Sequence, residues 1–226
     1  MNASDYPDLN LNGMANASGG KYRSVTIEGV GKVDGDLMCE TFKLNGMGTI
    51  RGNLVASRFE MKGRMTGEGS VTAKSVLIEG ISNLNGCLLG DDIRLNGMIN
   101  VNGDCEAERF AVEGGFAIDG LLNAGTIDIG LYGRGQAKEI GGELIRVKKL
   151  KKNRWSGLLK WIAPSWDNRL KAGTIEGDDI HLEHTTANVV RGNRIVIGPG
   201  CRIERVEYRT ELLVQTGAKV NKQIKG

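Results

Sequence analysis

One 17-residue pattern recurs seven times between Ser24 and Gly142 without an insertion or deletion, and it constrains the fold more than any other feature. Glycine occupies the sixth and twelfth positions of the first six copies. Self-similarity at a fixed period indicates a repeat architecture and takes precedence over local secondary-structure signals. The copies begin at Ser24, Thr41, Arg58, Ser75, Asp92, Arg109 and Thr126. Their second and fourth positions are apolar and predict the core: Val25, Ile27, Phe42, Leu44, Phe59, Met61, Val76, Ile78, Ile93, Leu95, Phe110, Val112, Ile127 and Ile129.

Each copy holds three pairs of apolar or small residues, and the two members of a pair are two residues apart. Such spacing puts both side chains on one face of an extended strand. The glycines fall between pairs, where a chain that turns a corner needs permissive backbone angles. The pattern therefore predicts an all-β solenoid of three-sided coils that rise about 4.8 Å each. An α-helical solenoid is excluded because each interior glycine would cost it roughly 1 kcal/mol relative to alanine.

Periodicity alone leaves the handedness of this β-helix open, although left-handed hexapeptide acyltransferases use eighteen residues per coil. The segments Val25-Thr-Ile-Glu-Gly29, Phe42-Lys-Leu-Asn-Gly46 and Val76-Leu-Ile-Glu-Gly80, with Gly48-Thr-Ile-Arg-Gly52 between them, resemble the bactofilins. The resemblance covers Ser24 to about Gly142 well and the C-terminal part loosely. It implies a right-handed β-helix that polymerises without nucleotide and scaffolds membrane-associated, cell-wall or motility machinery.

The remaining chain divides by composition. Residues 1–23 lack the pattern and are expected to form a flexible tail. Residues 24–142 are the seven coils, although Gly130, Gly133 and Gly135 predict that the last of them loses its order. Residues 143–172 form a basic insertion, residues 173–218 resume the solenoid, and residues 219–226 are expected to be a short basic tail. We interpret the two solenoid parts as one interrupted domain, with two stacked lobes as the alternative.

The basic insertion concentrates charge and all three tryptophans. From Arg146 to Lys171 it carries nine Lys or Arg and one acidic residue, Asp167. Its spacing predicts an amphipathic helix of the kind that lies in an anionic membrane surface. An internal cap or a protein-binding segment is the alternative, whereas nucleic-acid binding lacks a stacking motif on a strand surface. The predicted membrane-binding residues are Lys151, Lys152, Arg154, Trp155, Leu158, Leu159, Lys160, Trp161, Ile162 and Trp166.

The sequence contains no catalytic constellation, so we predict a non-enzymatic protein without a cofactor or metal. The only histidines, His181 and His184, are three residues apart on a strand-like run and would face opposite sides. There is no phosphate-binding GxxxxGK[ST] loop and no Gly-x-Ser-x-Gly elbow. The four cysteines form no CxxC pair, which favours structural thiols.

Two observations predict the location. No apolar run approaches the eighteen residues of a spanning helix. Residues 1–20 lack the basic and apolar regions of a secretory signal. We therefore expect a cytoplasmic protein, peripheral at the inner face of the cell membrane.

The two ends of a β-helix expose unpaired backbone groups that template association. The end faces are predicted at Val25 and Ile27 and at Leu212 and Val214. The expected partners are further copies of the chain, joined end to end, an anionic membrane surface, and envelope or motility proteins. The alternatives are a non-polymerising β-helical adaptor and a hexapeptide-type acyltransferase.

Overall fold

A computed structural model of the chain describes residues 6–150 and 168–226. These residues form one parallel sheet whose ten strands pair in sequence order, and no helix. The sheet winds into an all-β solenoid of about 12 turns, which confirms the predicted fold class. The strands are β1 (Leu9–Lys21), β2 (Ser24–Ile50), β3 (Leu54–Gly67), β4 (Val71–Leu84), β5 (Leu88–Val101), β6 (Cys105–Lys149), β7 (Leu170–Leu182), β8 (Thr185–Ile197), β9 (Arg202–Val214) and β10 (Lys219–Lys225).

The core follows the inward pairs of each coil. All fourteen residues predicted from the second and fourth repeat positions are at most 3% exposed. In β3 the buried side chains fall into three pairs, as a three-sided coil requires. Aromatic rings also stack from coil to coil, since the Phe42 and Phe59 ring centroids are 5.1 Å apart with the planes inclined by 7°. Each coil therefore buries its apolar surface against its neighbours, and the handedness stays a prediction.

The first coil lies in the segment that was predicted to be a flexible tail, and that prediction is corrected for Leu9–Lys21. Strand β1 pairs with β2, with Leu9 beside Val25 and Leu11 beside Ile27. This register is one residue shorter than the 17-residue repeat, which hides the coil from a search at a fixed period. The offset returns to 17 after a bulge between Ser18 and Gly20.

Two further boundaries are corrected. The seventh coil keeps its order, because β6 runs on to Lys149 and pairs with β7. Its glycines make room for large neighbours: a Cβ added to Gly135 would lie 3.0 Å from the Phe116 ring and 3.1 Å from Leu170. The last residues also form a strand, β10, rather than a tail.

Coil length is less regular after the basic insertion. Residues of β7 and β8 pair 15 apart, as Leu170 does with Thr185. The offset between β8 and β9 begins at 16 and ends at 17, and β10 restores 17. The pair at Ile195 and Ile197 nevertheless stays buried, because the coils shorten at corners rather than within the inward pairs.

One corner carries a ladder of side-chain caps at the thirteenth repeat position. Asp36 Oδ1 accepts a hydrogen bond from the backbone N–H of Asn53 at 2.7 Å, and Asn53 Oδ1 accepts one from Ser70 at 3.0 Å. The Ser70 hydroxyl accepts one from the Cys87 N–H, also at 3.0 Å. Asp104 caps Leu121 in the same way. These four side chains thus each satisfy a backbone donor of the next coil at a turn, where strand pairing is interrupted.

Candidate functional site: the two end coils

The sheet has two open edges within the part of the chain that the structure describes. Strand β1 lies at one edge and β10 at the other, and each pairs on one side only. We define the N-terminal end coil as residues 8–22 and the C-terminal end coil as residues 211–225. Unpaired strand edges template association with another chain unless they are blocked.

Partly exposed apolar side chains concentrate at these edges. Among the described residues, nine apolar residues pack against the core without being fully buried, and seven of them belong to the end coils. An eighth, Tyr208, lies in the coil directly beneath β10, and its partner in the register is Lys225. The seven are Leu9, Ala15, Ala17, Tyr22, Leu212, Ala218 and Val220. The inward columns of the core therefore continue to both ends and stay partly open to solvent there.

The N-terminal end coil is tied to the coil below it by a charged cluster. The Arg23 Nε donates to Asp8 Oδ1 at 2.9 Å, the other side of that guanidinium bonds Asp8 Oδ2, and the Ser24 hydroxyl donates to Asp8 Oδ1 at 2.7 Å. These bonds, that from Arg23 first, lower the pKa of Asp8 to about 2. The strand β1 itself carries amides, small residues and the apolar residues Leu9, Leu11 and Met14, with Lys21 as its single charged side chain. This end face is thus nearly neutral.

The C-terminal end coil is apolar inside and basic at its rim. Val214 and Leu213 are 36% and 48% exposed. Strand β10 carries Lys219, Lys222 and Lys225, and all three are exposed. This face therefore differs from the N-terminal one in charge, although both present apolar inward residues.

Of the four residues predicted at the end faces, two lie in an end coil and two do not. Leu212 and Val214 lie in the C-terminal end coil, beside Ile195 and Ile197 of the coil before. Val25 and Ile27 are fully buried under β1, so their assignment to an end face is corrected. The residues that replace them are Leu9 and Leu11, which the one-residue-short register kept out of the repeat.

The predicted membrane-binding residues lie in 151–167, outside the described residues. The structure narrows the boundaries of the basic insertion, because Arg146–Lys149 belong to β6 and Leu170–Lys171 to β7. Lys148, Lys149 and Lys171 are exposed on the flanks. The Arg146 guanidinium nitrogen Nη1 lies 3.8 Å from Asp128 Oδ1. Exposed lysines therefore flank residues 151–167 on both sides.

A groove of about 740 Å³ follows one side of the first coils. Its lining among the described residues contains no histidine, and burial raises the pKa of the Cys39 thiol in that lining to about 12. Such a thiol stays protonated at neutral pH and is a poor nucleophile. The lining includes the small residues at the sixteenth repeat position: Cys39, Ala56, Ala73, Gly90 and Ala107.

Other chemistry-bearing groups are dispersed over the described ranges. Residues 6–150 and 168–226 hold no cluster of three or more His, Cys, Asp or Glu placed to bind a metal, and no helix fit to span a membrane. His181 and His184 are both half-buried, and His184 has a left-handed φ of 47°. Acidic side chains pair with cations of adjacent coils, as Lys62 does with Glu79 at 3.0 Å. The absence of catalysis stays a prediction.

Comparison with known proteins gives sequence relatives only. No family model and no solved structure matches the chain. It is 42% identical to the uncharacterized protein YhbF of Bacillus subtilis (strain 168) over 92 residues, which are 39% of this chain and 34% of YhbF. It is 39% identical to the uncharacterized protein YhbE of the same strain over 109 residues, 48% of this chain and 44% of YhbE. The chain therefore spans less than half the length of the curated relatives it matches.

Proposed function

We propose that this protein is a bactofilin-like cytoskeletal scaffold that assembles end to end into filaments without a nucleotide. The observation that carries the proposal is the concentration of half-open apolar side chains in the two end coils, directly beside unpaired strand edges. Stacking of two end coils would pair those backbone groups and close the apolar columns. The energy for assembly then comes from burial and strand pairing, so no hydrolysis step is needed.

Negative-stain electron microscopy of the purified chain, without nucleotide or metal, tests this proposal. Thin filaments of uniform width are expected, and their number should rise with protein concentration. Discrete particles of one small size at all concentrations would contradict the proposal and favour the adaptor. A stable trimer that turns over acyl-CoA would favour the acyltransferase instead.

We further propose that the filament binds the anionic inner surface of the cell membrane through residues 151–167, where it would organise envelope, shape or motility machinery. Support comes from the charge and tryptophan content of that segment and from the exposed lysines on its flanks. Basic amphipathic segments bind anionic lipid by combining apolar insertion with electrostatic attraction.

Vesicle flotation in a density gradient tests the membrane proposal, because filaments that do not bind lipid stay at the bottom of the gradient. The test variant replaces residues 151–167 by a Gly/Ser linker of equal length, so that Arg146–Lys149 and Leu170–Lys171 stay in their strands. The unmodified chain should float with vesicles containing anionic phosphatidylglycerol and not with neutral phosphatidylcholine vesicles. The linker variant should form filaments and lose vesicle binding; retained binding would contradict the assignment to this segment.

A further inference from the structure

The groove on one side of the first coils runs along the axis of the solenoid. Its lining follows the fifteenth repeat position, where equivalent residues pair from one coil to the next. Five strand spacings of about 4.8 Å give this column a length of roughly 24 Å, which an extended peptide of about seven residues covers. The column is Lys21, Met38, Val55, Thr72, Leu89 and Glu106.

Small inward side chains account for the groove. The residues at the sixteenth repeat position are cysteine, alanine or glycine in these coils, whereas the second and fourth positions hold large apolar residues. A small residue lets the wall of the coil lie closer to the core at that position. The outward side chains of the fifteenth and seventeenth positions then line the depression together with it.

The part of the groove nearest the N-terminus is apolar. Met38 and Val55 are neighbours in the register, and they are 46% and 40% exposed. The half-buried Tyr22 lines the groove with them. An apolar side chain placed on this surface would remove both its own area and that of Met38 and Val55 from water, which favours its binding.

The other part of the groove is acidic. Asp91, Glu106 and Glu108 line it and are exposed. Within residues 6–150 and 168–226, none of the three carboxylates forms an ion pair. With Glu40, the described lining holds four carboxylates and two lysines. Such a lining attracts cations and repels the phosphates of nucleic acid and anionic lipid.

We propose that this groove binds a basic peptide segment of a partner protein. An apolar side chain of that segment packs on Met38 and Val55, and its Lys or Arg side chains face Asp91, Glu106 and Glu108. Val55 and Glu106 are three strand spacings apart, roughly 14 Å, so the apolar residue and the basic residues are about four positions apart in an extended segment. The proposal goes beyond filament formation and does not depend on it, because a single chain presents the whole groove.

Selection from a library of random peptides tests the proposal. Peptides of about nine residues displayed on phage would be selected on the full chain, and the enriched ones would be labelled with fluorescein for binding measurements by fluorescence polarisation. We expect enriched peptides to carry two or more Lys or Arg residues and an apolar residue about four positions away. Their affinity should fall as salt is added, since exposed charges are screened. A selection that enriches no basic peptides would overturn the proposal.

Two double variants with the same charge change locate the binding site. Glu106→Lys with Glu108→Lys reverses two carboxylates of the groove and should weaken peptide binding about tenfold. Glu113→Lys with Asp119→Lys is the matched control, because both residues are exposed and lie outside the lining. Equal weakening by the two double variants would mean a general charge effect and would overturn the assignment to the groove.

A third double variant and the linker variant complete the test. Met38→Gln with Val55→Thr keeps the charge and should weaken binding severalfold, because it removes the apolar contact; unchanged affinity would overturn the apolar part of the proposal. The variant with a Gly/Ser linker in place of residues 151–167 should bind the peptides as the unmodified chain does. Peptides that bind only the linker variant would identify residues 151–167 as the occupant of the groove and overturn its assignment to a partner protein. Absence of filaments with peptide binding intact would refute the proposed assembly and leave the groove standing.

Discussion

Replacing Gly63 by alanine tests how closely the coils approach at the sixth repeat position. Gly63 has a φ of +124°, and a Cβ there would lie 2.1 Å from the carbonyl oxygen of Gly46. A side chain at such a φ costs about 1–3 kcal/mol. The contact with a backbone oxygen cannot be relieved by a rotamer change, so local separation of the coils should add about 1–3 kcal/mol more.

Gly35 provides the matched control for this experiment. Its φ of +105° is also left-handed, but a Cβ there would be 3.7 Å from its nearest neighbour, an ordinary contact. Gly35→Ala should therefore lose only the conformational part, about 1–3 kcal/mol. Urea unfolding followed by far-UV circular dichroism at low protein concentration would measure both variants. Equal losses in the two variants would refute the claim that backbone crowding between coils, beyond the φ angle, requires glycine at Gly63.

Three other predictions concern the core, the thiols and the N-terminal end coil. Phe42→Arg should abolish the β-sheet circular dichroism signal, because it buries an unpaired charge where the Phe42 ring stacks on Phe59. A variant that stays folded would show that the assigned register of the core is wrong. Thiol titration of the native chain at pH 8 should find one fast-reacting group, Cys87. This residue is half-buried, whereas the other three cysteines are buried and their pKa values are raised. A Cys87→Ser variant that keeps a fast-reacting thiol would contradict this prediction. Because the pKa of Asp8 is lowered from 3.8 to about 2, its stabilisation of β1 should be complete above about pH 4 and disappear as the pH falls through 2. Hydrogen exchange of β1 amides should show this loss in the unmodified chain and not in Asp8→Asn; identical pH profiles would remove Asp8 as the cause.

The repeat predicts the core well because strand pairing places equivalent positions of successive coils side by side. A position that is apolar in every copy therefore faces inward in every coil. Wherever two coils keep a 17-residue offset, as Phe42 and Phe59 do, a residue's place in the repeat determines whether its side chain faces inward. The first coil and the coils after the basic insertion depart from that offset by one or two residues. Such changes are absorbed at corners, where no inward side chain depends on the count, and they are invisible to a search at one period.

The misplaced end face follows from the same cause. The 17-residue repeat does not include β1, so it predicts Val25 and Ile27 to be terminal, although β1 covers them. Leu212 and Val214 lie in the last coil, as the 17-residue offset between Arg194 and Glu211 predicts. The glycine positions were predicted from the need for corners, whereas the contact of Gly63 with the carbonyl oxygen of Gly46 required the three-dimensional coil.

The ladder of side-chain caps has a consequence for how the length of such a rod can change in evolution. Each cap in the run Asp36, Asn53 and Ser70 serves only the coil that follows it. Duplication or loss of one 17-residue unit within this run would therefore leave each remaining donor of the run with an equivalent acceptor. Since stability in a solenoid is mainly a sum over neighbouring coils, the unit can be gained or lost without redesign elsewhere. Homologous rods are then expected to differ in length by whole coils, in steps of about 4.8 Å, more readily than by fractions of one.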